Sequence, residues 1–135
     1  MAGEFLDSNV LVYAFADDPR TAAARALLER KCVISVQGLN EFVNVARRKL
    51  RNSWDEVRDA LAVIRALCPV VVHIDVPIHT DALRLAERYG FAFFDALMVA
   101  AALPAGSDIL WSEDMQDGML IDGKLRINNP FRATI

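Results

Sequence analysis

Five acids stand at the ends of predicted elements: Asp7, Glu41, Asp95, Asp114 and Asp117. Asp7 closes a short apolar strand, and Glu41 falls in the first turn of the helix after a second strand. Asp95 opens an apolar helix, and Asp114 and Asp117 directly follow a fourth strand. Crowded carboxylates repel, and without a counter-charge some must take up protons. A hard divalent cation relieves that repulsion. Mg²⁺ takes oxygen ligands, keeps several waters and binds through a few carboxylates together with substrate phosphates. One or two such ions lower the pKa of a bound water and neutralise charge growing on a phosphoryl group during in-line displacement. Zinc is disfavoured, because His73 and His79 are the only histidines and neither is spaced as a ligand with the acids.

Taken singly, each acid has a plain structural explanation. Asp7 could bond its own turn, Glu41 and Asp95 could complement helix dipoles, and Asp114 and Asp117 could be solvated loop acids beside Glu113 and Asp122. For Asp95 that explanation is weaker. Phe93 and Phe94 precede it and Leu97, Met98 and Val99 follow, so its carboxylate is drawn toward the interior and needs compensation.

The elements that must position these acids alternate between strand and helix. A strand begins at Glu4–Leu6, and Val10–Phe15 continues apolar into a turn. Asp18–Pro19 starts a helix running to about Arg30, Cys32–Ser35 is a second strand, and a helix spans about Leu39–Lys49. Ser53 and Glu56 form a capping box for a helix whose apolar face is Val57, Leu61, Ile64 and Leu67. Val70–Ile74 is a β-branched third strand holding His73, and a helix from about Ile78 to Tyr89 ends at Gly90. Phe94–Leu103 is a buried helix that Pro104 stops, and Asp108–Trp111 and Leu125–Asn128 are the last strands. Such alternation predicts a three-layer α/β domain with a short parallel sheet between helices. In sheets of this kind ligands bind outside the carboxyl ends of the strands, which is the rim that receives the acids.

The 135 residues fit one domain, 1–135, with no repeat, linker or low-complexity run. No apolar run reaches the ~20 residues of a bilayer span, and Glu4 and Asp7 interrupt the N-terminus before a signal-peptide core develops. Cys32 and Cys68 read as buried thiols of a cytoplasmic protein, with a disulfide still open. The formal charge of −3 carries no footprint of a polyanion binder, so a nucleic-acid role must rest on local charge and bound cations.

The segments around the acids resemble those of PIN-domain ribonucleases, and more closely the VapC toxins of type II toxin–antitoxin systems. The resemblance lies in Phe5–Tyr13 with Asp7, Ser35–Phe42 with Glu41, Phe93–Ala102 with Asp95, Leu110–Gly118 with Asp114, and the ending Ile127–Phe131. It implies a PIN fold, Mg²⁺ or Mn²⁺ dependence, RNA hydrolysis, a homodimer and inhibition by a cognate antitoxin. By the same resemblance Asp7, Asp95 and Asp114 are the metal ligands, and Glu41 completes the acidic bowl. Asp117 either binds a second metal or caps its loop. Ser112 would hydrogen-bond a carboxylate or a substrate phosphate, and Asn9 would fix Asp7.

Arg47, Arg48, Lys49 and Arg51 form the concentrated positive run. It is read either as a solvated helix end, or as phosphate contacts for RNA, or as a dock for an acidic antitoxin tail. Two other classes compete: a metal-dependent phosphatase or phospho-acceptor domain with Asp7 as nucleophile, and a PIN-like binding module with little turnover. The first wants a lysine at a later strand end, and Lys31, Lys49 and Lys124 are not placed there.

Overall fold

The computed structural model describes residues 3–132. The chain runs β1 (Gly3–Leu6), α1 (Ser8–Ala14), α2 (Thr21–Leu28), β2 (Ile34–Ser35), α3 (Val36–Arg48), α4 (Trp54–Leu67), β3 (Val71–Val72), α5 (Val76–Tyr89), α6 (Phe93–Ala102), β4 (Ser107–Trp111), β5 (Leu120–Ile121) and β6 (Leu125–Asn128). One sheet has the order β1-β4-β6-β5, with β5 antiparallel to β6 and the other pairs parallel. The short parallel pair β2-β3 lies beside β1, joined to it by a single bridge between Phe5 and Val33. The parallel order is therefore β3-β2-β1-β4-β6. From β1 the chain winds outward through β2 and β3, then returns to the other side of β1 for β4. The crevice between the ends of β1 and β4 is the topological switch point, where ligands of open α/β sheets bind.

Alternation along the strands builds two cores. Phe5 packs with α5 and α6, whereas Leu6 packs with the cluster formed by α1 to α4, and both are fully buried. The result is the expected α/β architecture of helices on both faces of a parallel-dominated sheet. Helix α6 is buried from Ala96 to Ala102, matching its apolar composition, and packs chiefly against α5.

Several local expectations change. Val10–Phe15 is mostly helix, because Asp7 caps α1 immediately after β1 and leaves no room for a turn. The side chain of Asp18 is bound to Arg20, so α2 begins only at Thr21 without a side-chain cap. Ser35 caps α3 by accepting from the amide of Gly38 at 3.0 Å; the helix thus starts at Val36, and Glu41 lies in its second turn. Gly38 is an interior helical position, where an added Cβ would stand at ordinary van der Waals distance from Ser35, Leu11 and Met98. The third strand shrinks to Val71–Val72, which leaves His73 exposed beyond it, and Asp75 caps α5 at Val76. The hairpin strand β5 has no counterpart among the sequence expectations, since two residues carry no periodic signal. The capping box of α4 and the left-handed Gly90 that ends α5 are as the sequence predicts.

Candidate metal centre

Asp7 leaves β1 as the N-cap of α1, and its backbone amide still donates to Trp111 O across the sheet at 3.0 Å. The residue is 3% exposed, and both carboxylate oxygens are engaged. Oδ1 accepts from the Ser8 amide at 2.7 Å, and Oδ2 accepts from the Ser112 hydroxyl at 2.7 Å and Asn9 Nδ2 at 3.3 Å. Leu6 pairs with Trp111 in the β1–β4 register, so the next residues, Asp7 and Ser112, meet at the switch point.

Two side chains tie Asp7 to Asp114. The Ser112 hydroxyl accepts from the Asp114 amide at 3.2 Å while donating to Asp7. Asn9 Nδ2 also donates to Asp114 Oδ2 at 3.1 Å, and Asn9 Oδ1 accepts from the Glu113 amide at 3.4 Å. Both residues singled out in the sequence as supports of the acids therefore hold the two strand ends in fixed relation.

Glu41 and Asp95 reach the same region from helices. Burial first, and then repulsion from Asp7 and Asp95, pushes the Glu41 carboxyl up to about 7 against a hydrogen bond from Ser8. Burial raises Asp7 to about 6, with the Ser112 and Ser8 hydrogen bonds opposing and the Asp114 and Asp95 charges adding. Asp95, in the first turn of α6, is raised by burial and by Asp114. These mutual repulsions place the four acids in one field. A cleft of about 510 Å³ opens beside them, lined by Ser8, Asn9, Glu41, Asn44, Lys49 and Asp114 among others. A second cavity of about 500 Å³ lies between α5 and the β5–β6 turn, where Arg84 is already shared by Asp81 and Asp122.

Asp117 is placed differently. Its Oδ1 accepts from the Asn129 amide at 2.6 Å and its Oδ2 from Arg132 at 2.9 Å, and these bonds hold its carboxyl below the usual carboxylate range. It does not line the cleft. These bonds tie the segment after β4 to the C-terminal segment. The basic run divides as well. Lys49 lines the cleft, Arg47 donates to Asn52 O at 2.8 Å and stacks on Trp54, and Arg48 and Arg51 are exposed.

The sequence did not reveal a clamp at the rim. Tyr13 donates to Glu113 Oε1 at 2.7 Å, and Arg20 binds the same carboxylate at 3.0 Å while also holding Asp18. The Arg20 guanidinium lies 4.1 Å from the Tyr13 ring centroid, and Phe131 meets that ring edge-on. The clamp fixes the residue next to Asp114. No spacing announces it, because its members come from α1, the α1–α2 turn and the segment after β4. Cys32 and Cys68 are free, buried thiols, both pushed up by burial.

A model of the PIN-domain family matches residues 5–116. The chain belongs to the PIN-domain family. No curated protein matches by sequence. Among solved structures, this PIN domain is similar to the Mycobacterium tuberculosis toxin VapC20, described as cleaving the sarcin–ricin loop. The two are 20% identical over 82% of this chain and 89% of that one, with a TM-score of 0.65. A toxin–antitoxin complex from Klebsiella pneumoniae gives 22% identity, 94% and 97% coverage and a TM-score of 0.69. VapBC2 from Rickettsia felis, bound to a DNA fragment from its promoter, gives 18%, 93%, 97% and 0.66. At these identities the likeness is one of fold.

PIN domains generally use divalent metal ions. Among the described residues no three His, Cys, Asp or Glu side chains converge into a ready coordination sphere, and in this PIN domain Asp7 instead faces its hydrogen-bond donors. The chemistry of the donor set nevertheless fits a hard cation: all oxygen, with the carboxyls of Asp7, Glu41 and Asp95 pushed up by burial and by neighbouring acids. Among the described residues no helix is long and apolar enough to cross a membrane.

Proposed function

We propose that this chain is a Mg²⁺- or Mn²⁺-dependent endoribonuclease, the toxin of a type II toxin–antitoxin pair of the VapC kind. The observation that carries the reading is the joining of Asp7 to Asp114 through Asn9 and Ser112 at the β1–β4 switch point, with Asp95 and Glu41 in the same field. Asp7, Asp95 and Asp114 would hold the cation, and Glu41 would complete the bowl. A cation there would supply charge neutralisation at the phosphoryl group and an activated water for hydrolysis of the P–O bond. The chain's own part is positional. Ser8 and Ser112 fix the Asp7 oxygens, Asn9 sets the approach of Asp114, and the buried helix α6 carries Asp95 in its first turn. Preorganisation of this kind avoids rearrangement during reaction.

The similarity to VapC20 and to toxin–antitoxin complexes supports RNA as substrate and a cognate antitoxin as partner. A homodimer and a cytoplasmic location complete the proposal, and the run Arg47, Arg48, Lys49 and Arg51 supplies phosphate contacts at the rim. The phospho-acceptor alternative would need a lysine at the carboxyl end of a later parallel strand, and Lys31, Lys49 and Lys124 follow α2, α3 and β5 instead.

The deciding experiment is cleavage of a structured RNA with Mg²⁺ or Mn²⁺ against EDTA, alongside Asp95→Asn. Metal-dependent cuts that vanish in the variant are expected. Cutting that survives both EDTA and the substitution would overturn the mechanism, and a phosphoenzyme trapped on Asp7 would favour the phospho-acceptor alternative.

A further inference from the structure

The chain leaves the sheet just before Asp114. The Ser112 amide still donates to Asn128 O at 3.0 Å, and the next amide to reach a strand is that of Gly118, which donates to Ile127 O. Between them the loop is fastened chiefly through side chains. Helix α1 supplies two of the fastenings. Asn9 and Tyr13 stand four residues apart, on one face of the helix, and take hold of Glu113 at both ends. Asn9 Oδ1 accepts from its amide at 3.4 Å, and the Tyr13 hydroxyl donates to its Oε1 at 2.7 Å. The third fastening is Arg20. Its Nε and Nη2 meet the two oxygens of Asp18 at 2.7 and 2.8 Å, a bidentate pair that aims Nη1 at Glu113 Oε2, 3.0 Å away. The same guanidinium lies over the Tyr13 ring, and Phe131 meets that ring edge-on at 5.2 Å.

Glu113 and Asp114 are adjacent acids, and of the two it is Asp114 that lines the cleft. Both are oxygen donors suited to a hard cation. The receptor formed by Tyr13 and the Asp18-anchored Arg20 takes Glu113 out of that competition: its charge is paired and each of its oxygens accepts a bond. It also carries the strongest grip on the loop, because bonds to an ionised group are about twice as strong as neutral ones. Asn9 alone, with one bond of 3.1 Å to Asp114 Oδ2 and one of 3.4 Å to the Glu113 amide, is a loose tether. Site residues must stay within about 0.5 Å of their productive geometry. We propose that Tyr13 and Arg20 are positioning residues for the cation site: by holding Glu113 aside they make Asp114 the acid presented to the cleft and fix its place relative to Asp7. This rests on the metal-dependent reading of the site, and its effect is measurable without turnover.

The test is Mn²⁺ titration calorimetry of the whole protein after EDTA treatment and dialysis, paired with thermal melting in EDTA. Arg20→Ala and Glu113→Ala are each expected to weaken Mn²⁺ binding on the order of tenfold. Tyr13→Phe weakens it in the same direction while keeping the ring against Arg20 and Phe131, so it carries the test if Arg20→Ala fails to fold. In the Glu113→Ala background neither Tyr13→Phe nor Arg20→Ala costs further affinity, because nothing is left for them to hold. A clamp that served folding alone would lower the melting temperature and leave Mn²⁺ affinity as it was. Unchanged affinity in Arg20→Ala and Tyr13→Phe, or losses that persist undiminished in the Glu113→Ala background, would overturn the proposal. Failure of the ribonuclease reading looks different. Metal-dependent RNA cleavage with clamp variants that bind Mn²⁺ like wild type would refute the clamp and spare the nuclease, whereas clamp-sensitive Mn²⁺ binding without any cleavage would do the reverse.

Discussion

Asp7 carries both the strongest constraint and the clearest electrostatic signature. Its pKa of about 6 lies above the ordinary 3.8, so between those pH values the folded protein holds a proton that the unfolded chain has released. The native state is thus favoured below about 3.8, and that advantage is gone once pH rises past about 6. Burial of the charge then costs on the order of 3 kcal/mol at neutral pH, at ~1.4 kcal/mol per pH unit. In EDTA, Asp7→Asn is expected to melt higher than wild type at pH 7, with the gap narrowing toward pH 4. Calorimetry at the two pH values checks this, and a gap that does not change with pH would contradict it. Ser112 serves Asp7 and Asp114 at once. Ser112→Ala should weaken Mn²⁺ binding on the order of 10- to 100-fold by titration calorimetry, the usual range for a residue that orients ligands. An unchanged affinity would reduce Ser112 to a strand-end hydroxyl.

At the scale of elements, burial is distributed unevenly. Asp95 directly precedes the buried stretch Ala96–Ala102 of α6, whereas Trp54 stands exposed at the start of α4. Helix α5 braces α6 and ends at Gly90, with φ at 77° and no atom within 4 Å of an added Cβ. Gly90→Ala therefore meets no clash and suffers only left-handed backbone strain, about 1 kcal/mol. The expected result is a lower denaturation midpoint with metal-dependent activity intact at 25 °C. Loss of activity in a folded variant would show that α6 depends on the α5 terminus more directly than packing suggests.

For the whole molecule, the C-terminal segment closes over the β4 side of the site. Asp117 fastens the segment after β4 to Asn129 and Arg132, while Phe131 packs on Tyr13 and so reaches the Glu113 clamp. If the loop cap is the whole of its role, Asp117→Ala should lower the melting temperature modestly and leave Mn²⁺ affinity unchanged. A loss of affinity matching that of Asp114→Asn would make it a ligand after all.

The sequence by itself determined the α/β class, the buried α6, the α4 capping box, the Gly90 terminus and the identity of the acids at strand and helix ends. Each rests on local chemistry: apolar periodicity, a cap residue, or a charge set in an apolar run. Tertiary structure alone decided which acids meet. Asp7 and Asp114 become neighbours because β4 inserts beside β1, a pairing across 107 positions that no local pattern encodes. The same insertion creates the Tyr13–Arg20–Glu113 clamp, and pairing of Asp117 with the C-terminal segment turns that carboxylate away. Local sequence sets what each segment can be, whereas long-range strand order and burial set which charges must share one low-dielectric space.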